Sequence, residues 1–209
     1  MVRGEMTKIK ICGITNFDDA KTVVDLGVDA LGFVFVSSQR VISPERARRI
    51  IEQLPPFVTT VGVFMDETLD RVNQIADYTG IDIVQLHGDE PSEYCCGLKK
   101  KVIKRISVND HDTKETLSSK IQKYLGITCL LDPGTGSGDV FDWHLAREVK
   151  VPLIVAGGLT PDNVRGVIRL LKPYAVDVAS GVESSPGKKQ RDKVEAFIRE
   201  VRLWSSPGY

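Results

Sequence analysis

One alternation constrains this chain more than any other feature: eight short apolar runs, each followed by a longer amphipathic stretch. The runs lie at residues 9–12, 30–35, 58–64, 81–86, 102–106, 128–131, 152–156 and 175–179 and are rich in Val, Ile and Phe. Most lack clean polar alternation, which is how strands read when both faces are covered, as in a parallel sheet. The stretches between them predict helices over 17–26, 44–54, 69–78, 92–100, 113–124, 143–149, 161–171 and 189–204. Ser43-Pro44 and Thr160-Pro161 each offer a side-chain oxygen for an N-cap, followed by a ring whose missing N–H costs nothing at the first helical position. Asn16, with Asp18 and Asp19 behind it, suits a positive helix end, and Pro173 stops the seventh helix. Eight β-then-α units with no linker predict an α/β fold: a parallel eight-stranded (βα)₈ TIM barrel forming a single domain over residues 1–209. An open doubly wound sheet is the alternative, weakened because no G-x-G-x-x-G follows the first run.

Charge narrows the function classes. Lys plus Arg equals Asp plus Glu at 28 each, so no net field points to nucleic acid or to an anionic membrane surface. No apolar run approaches the ~20 residues that span a bilayer, and residues 1–10 lack the apolar stretch of a secretory signal. Cys12, Cys95, Cys96 and Cys129 are too few for a disulfide framework, so the expected compartment is the cytoplasm, with reduced thiols. Three scattered histidines and four cysteines lack metal-ligand spacing, and neither a metal nor another cofactor is expected. Phe57 and Trp204 are the apolar residues that could mark a dimer face, and the sequence fits a monomer or a homodimer.

In a barrel of this kind chemistry gathers where strands end at their C-terminal side. Asp132 follows Cys129-Leu130-Leu131 directly, where a carboxylate buried without partners would be costly. It reads either as a cap for its own loop or as an acid that partial burial keeps protonated. Cys12 ends the first run; it reads as a small buried side chain, or as a reactive thiolate supported by a helix terminus or a nearby cation. Arg40 lies in the loop before Ser43-Pro44, either solvated or gripping a carboxylate with its fork. His87 is a substrate-binding candidate beside the plainer reading of a structural hydrogen bond. Asp177, on the last run, is a candidate substrate contact with loop bracing as its alternative. Gly157-Gly158 and Ser180-Gly181 follow the last two runs, where many barrels bind phosphate through backbone N–H groups that glycine lets approach closely. Tight turns are their bland reading.

At these residues the sequence resembles the phosphoribosylanthranilate isomerase family, over about residues 8 to 200. The resemblance is carried by Lys10-Ile11-Cys12-Gly13-Ile14-Thr15, Gly32-Phe33-Val34-Phe35, Arg40-Val41-Ile42-Ser43-Pro44, Val61-Gly62-Val63-Phe64, Val84-Gln85-Leu86-His87-Gly88 and Leu130-Leu131-Asp132. It continues through Gly136-Ser137-Gly138, Phe141-Asp142-Trp143, Ala156-Gly157-Gly158-Leu159, Asn163-Val164, Val176-Asp177-Val178, Ser180-Gly181-Val182-Glu183 and Pro186-Gly187-Lys188-Lys189. It implies a tryptophan-pathway isomerase acting on a phosphorylated aminosugar without cofactor, with Cys12 as general base, Asp132 as general acid, Arg40 on the anthranilate carboxylate, and the last two glycine loops on phosphate. Asp139-Val140 stands where many relatives carry Lys-Thr, which removes a cation near the mouth, and Gln190 replaces a common Asp. Two competing readings are another phosphate-binding barrel acting on a related aminosugar phosphate, and an inactive regulatory barrel. The first would place Lys, Glu or Asp where Cys12 stands. The second would have lost the acid, the base or the phosphate loops.

Overall fold

In a computed structural model, residues 6–134 and 140–205 are described; the sixth-loop positions Gly136, Ser137, Gly138 and Asp139 lie outside them. The strands are β1 (Lys8–Cys12), β2 (Ala30–Val34), β3 (Thr59–Phe64), β4 (Ile83–Leu86), β5 (Lys101–Ser107), β6 (Thr128–Asp132), β7 (Leu153–Val155) and β8 (Ala175–Val178). They close in sequence order into one barrel, every neighbouring pair parallel. The missing alternation in the sequence has its cause here. Ile9 and Ile11 of β1 pack outward under the helices in the larger core, while Val61, Ile103, Leu130, Ile154 and Ala175 fill the barrel's inside. Both strand faces are therefore covered at their middle, and a polar residue there, such as Lys10 or Lys104, needs a buried partner.

The helices are α1 (Phe17–Asp25), α2 (Pro44–Ile51), α3 (Leu69–Thr79), α4 (Ser92–Cys96), α5 (Lys114–Gln122), α6 (Val164–Leu171) and α7 (Arg191–Ser205). Two expected caps form: Asn16 Oδ1 accepts from Asp19 N at 2.8 Å, and Ser43 Oγ accepts from Arg46 N at 3.3 Å. Thr160-Pro161 does not cap α6. That helix starts at Val164 after Asn163, and residues 160–163 form a turn that Asn163 pins by accepting from Thr160 N and donating to Gly158 O, each at 2.8 Å. The Asn163 amide thus shapes the loop after β7 instead of opening a helix.

The helix expected over 143–149 is a short 3-10 turn, Trp143–Ala146. Its bonds Leu145 N to Asp142 O, Arg147 N to His144 O and Val149 N to Ala146 O all span three residues, and Pro152 ends the room for a further turn. The last helix begins at Arg191, not Lys189. Lys188–Lys189 instead forms a strand, β10, antiparallel to β9 (Glu183–Ser185). That hairpin drives Lys189 inside to 7% exposure. Trp204, expected as an exposed apolar residue, packs on the core and lies under Arg165, whose guanidinium carbon is 4.0 Å from its ring centre. Phe57 is 97% exposed. Among the described residues no helix is long and apolar enough to cross a membrane.

Candidate active site

The C-terminal ends of the strands surround a cavity of about 290 Å³ lined by Cys12, Arg40, His87, Asp132, Gly157, Gly158, Asp177 and Ser180, among others. Eight of the nine sequence candidates therefore meet at one mouth. Gly181 does not line it. A β-carbon there would fall 1.9 Å from the Leu159 carbonyl oxygen, so this glycine lets the loop after β8 lie directly against the loop after β7. Gly157 (φ +83°) and Gly158 (φ +59°) both occupy the left-handed region, which a side chain strains. A β-carbon on Gly157 would also strike the Pro133 ring at 2.3 Å.

Asp132 sits at the end of β6 with its side chain 19% exposed. Oδ1 accepts from Gly134 N at 2.7 Å, which leaves Oδ2 toward the imidazole of His87, whose Nε2 is 3.6 Å away. Gln85 Nε2 lies 3.3 Å from Nδ1 of His87. For the amide to donate, Nδ1 must be bare, which puts the ring proton on Nε2, the nitrogen nearer Asp132. Burial, and then the positive Arg105, push His87 down to about 4, so the ring is neutral near pH 7. Arg105 also holds the strand end, donating from Nη1 to the His87 carbonyl at 3.0 Å.

The opposite side of the mouth is built from buried ion pairs. Lys10 and Cys12 are two residues apart on β1 and so face the same side of the strand. Lys10 pairs across the register with Asp177 of β8, Nζ to Oδ2 at 2.8 Å, with side chains 4% and 7% exposed. The other carboxylate oxygen, Oδ1, is buried with no hydrogen-bond partner among the described residues. Gly32 is the register mate of Cys12 on β2. A β-carbon there would stand 2.7 Å from Sγ of Cys12 and 3.0 Å from Nζ of Lys10, so thiol and ammonium share the space this glycine leaves open.

A second buried lysine reaches the same spot. Lys189 Nζ donates to the Cys12 carbonyl oxygen at 2.5 Å and to Glu183 Oε1 at 2.6 Å. Glu183 in turn accepts from Arg40: Nε lies 3.0 and 3.1 Å from its two oxygens, and Nη2 lies 2.7 Å from Oε2. The Arg40 fork is thus occupied from within the protein along its Nε–Nη2 edge, and the donors left over are the two of Nη1 and the second hydrogen of Nη2. Burial pushes the Cys12 thiol up, with Lys10 the strongest charge pulling it back and Lys189 helping. Burial alone would lower the Lys10 ammonium; Asp177 and Cys12 together outweigh it and hold Lys10 above its ordinary value.

Sequence reasoning assigned no role to Lys10, Glu183 or Lys189. The lysine between Ile9 and Ile11 was the available signal, since a charge in the middle of a strand covered on both faces needs a partner.

The sequence model of the N-(5'-phosphoribosyl)anthranilate isomerase family matches residues 9–200 of this chain. The chain belongs to that family. Among curated members of this isomerase family, the protein of Pelobacter propionicus is 48% identical over 198 residues, covering 93% of this chain and 95% of its own length. The crystal structure of the family's isomerase from Thermotoga maritima is 44% identical with a TM-score of 0.88, covering 95% of this chain and all of that one. A further phosphoribosyl anthranilate isomerase crystallised with reduced 1-(o-carboxyphenylamino)-1-deoxyribulose 5-phosphate is 43% identical, with a TM-score of 0.86 and coverage of 95% and 100%. Both the barrel and the isomerase class expected from the sequence stand.

Proposed function

We propose that this enzyme converts N-(5-phosphoribosyl)anthranilate into 1-(o-carboxyphenylamino)-1-deoxyribulose 5-phosphate, the aldose–ketose step of tryptophan biosynthesis, with Cys12 as general base and Asp132 as general acid. The observation that carries the reading is that a thiol from β1 and a carboxyl from β6 line one cavity whose rim includes Gly157, Gly158 and Ser180. Family membership supplies the substrate class.

In this reading the substrate phosphate lies against the backbone N–H groups of the loops after β7 and β8, where Gly157 and Gly158 leave room for oxygen atoms close to the chain. Gly181 contributes by loop packing. The anthranilate carboxylate meets Nη1 of Arg40, because Glu183 holds the other edge of the guanidinium. A sugar hydroxyl donates to the open Oδ1 of Asp177.

Protonated Asp132 donates to the furanose oxygen as the ring opens to an iminium ion. Neutral His87, with its proton on Nε2, steadies the carboxylate this leaves. The iminium acidifies the C2 hydrogen, and the Cys12 thiolate removes it to give an enolamine. That species loses its C2 hydroxyl proton and gains one at C1 to become the ketose. One proton has then moved from the carboxyl to the thiol, and the pair resets by returning it through water at the mouth. No electrons are gained or lost overall, so the balance asks for no redox partner. Terms of this kind are each worth about 10²–10⁴ in rate.

Cys12→Ser and Asp132→Asn keep shape and remove a proton carrier. Each is expected to lower kcat by about 10²–10⁴ with an unchanged circular dichroism spectrum, read by loss of fluorescence from phosphoribosylanthranilate. Near-normal turnover in either purified variant removes that residue from the mechanism.

A further inference from the structure

We propose that Lys10 is the positioning residue that makes Cys12 usable as a base: its buried ammonium, anchored by Asp177, stands beside the sulfur and supplies the charge against which the thiolate forms. This rests on the assignment of Cys12 as base.

The argument begins with cost. A thiolate in a buried pocket loses its hydration, and burial here works against ionisation of Cys12. A cation held close by can repay that loss, but only if it stays charged and stays in place. Lys10 meets both conditions. Its Nζ is held 2.8 Å from Asp177 Oδ2 across the register of adjoining strands. It also borders the gap over Gly32 that Sγ of Cys12 borders from the other side.

The surrounding charges favour one more anion. Beside Cys12 stand Lys10 on β1, Lys189 on β10 and Arg40 in the loop after β2, against Asp177 on β8 and Glu183 on β9. Among the described residues that is three cations to two carboxylates, and the thiolate is the third anion. Across the cavity are Asp132 on β6, the proposed acid, and His87 after β4, neutral near pH 7. Lys189 and Arg40 are drawn together by Glu183, and Lys189 spends a bond on the Cys12 carbonyl. Lys10 donates one hydrogen bond to Asp177, and its ammonium has hydrogens left for the Cys12 sulfur.

The test reads the thiol directly in the full-length protein. Carboxamidomethylation of Cys12 by iodoacetamide is followed from about pH 6 to about pH 10, with peptide mass spectrometry separating it from Cys95, Cys96 and Cys129. Lys10→Met keeps the stem and removes the charge. Its thiol midpoint is expected to rise by about one pH unit or more, with the alkylation rate at neutral pH falling about tenfold. kcat should fall by a similar factor while KM moves little. Lys10→Arg, which keeps the charge, should recover most of the reactivity. Lys10→Met/Asp177→Asn leaves no stranded carboxylate; its midpoint should rise in the same direction by a smaller amount, since Asp177 itself opposes the thiolate. An unshifted midpoint in both Met variants overturns the inference, whatever turnover does. A shifted midpoint combined with full turnover in Cys12→Ser would instead overturn the base assignment and leave the coupling of Lys10 to Cys12 intact.

Discussion

Two buried lysine–carboxylate pairs in this barrel differ in one respect that separates scaffold from chemistry. Lys104 of β5 and Glu90 meet at 2.6 Å with side chains 2% and 3% exposed, outside the barrel wall near Tyr124. Every part of that pair is engaged: Lys104 also donates to the Gly88 carbonyl, and Glu90 Oε1 accepts from Asp66 N at 2.8 Å. Lys10 and Asp177 are almost as buried, but among the described residues Asp177 Oδ1 has no hydrogen-bond partner, and Asp177 lines the cavity. A saturated pair locks two loops and has nothing left to offer. An unsaturated one, held equally firmly, keeps an acceptor ready for a ligand hydroxyl at little cost in later reorganisation.

The largest expected effect that would break this contrast is on stability. Lys104→Met strands the Glu90 carboxylate in the wall and should cost about 3–5 kcal/mol in urea unfolding, with kcat of the folded fraction unchanged. A loss below ~1 kcal/mol would mean that the pair is not structural. The paired change Lys104→Met/Glu90→Leu should recover most of the loss, since two charges removed together leave neither unpaired. Next comes Asp177→Asn. The amide keeps the side chain's shape and an acceptor for Lys10, so about 1–3 kcal/mol of stability is at stake. The kcat/KM for the aminosugar is expected to fall about tenfold or more. Wild-type kcat/KM in this variant would remove the hydroxyl contact.

A further effect, confined to acid pH and absent at neutral pH, lies with His87. His87 takes its proton near 6.5 when unfolded and only near 4 when folded, so between those values the unfolded chain binds more protons. Stability is therefore fully present above about pH 6.5 and falls as pH falls toward 4. His87→Asn should flatten that decline in thermal unfolding across the window. An identical slope in the variant would show that other groups carry it.

Much of this was legible from residue order. The eight strands were, because a parallel barrel demands uninterrupted Val, Ile and Phe, and few other folds repeat that demand eight times. Cys12 and Asp132 were legible as oddities at strand ends. The hairpin after β8 was not: Lys188-Lys189 before a charged amphipathic run looks like the solvated start of a helix, and only the distant Glu183 and the Cys12 carbonyl draw Lys189 inward. Arg40 was found, read as solvated or as gripping a carboxylate, but nothing local in the sequence betrays that the carboxylate it grips is Glu183, 143 residues away. The turn at Trp143–Ala146 was missed because amphipathic spacing does not report how much room Pro152 leaves.

Gly32 has a consequence of its own for how this barrel can be altered. At β2 the wall beside Cys12 is defined by an omission, a missing side chain whose place the thiol and the ammonium of the neighbouring strand crowd. Widening the rest of the mouth alters which molecules enter. A methyl group placed at Gly32 would crowd the Cys12 sulfur at 2.7 Å and the Lys10 ammonium at 3.0 Å, so glycine to alanine, the most ordinary substitution in protein engineering, is here one that displaces the thiol proposed as base.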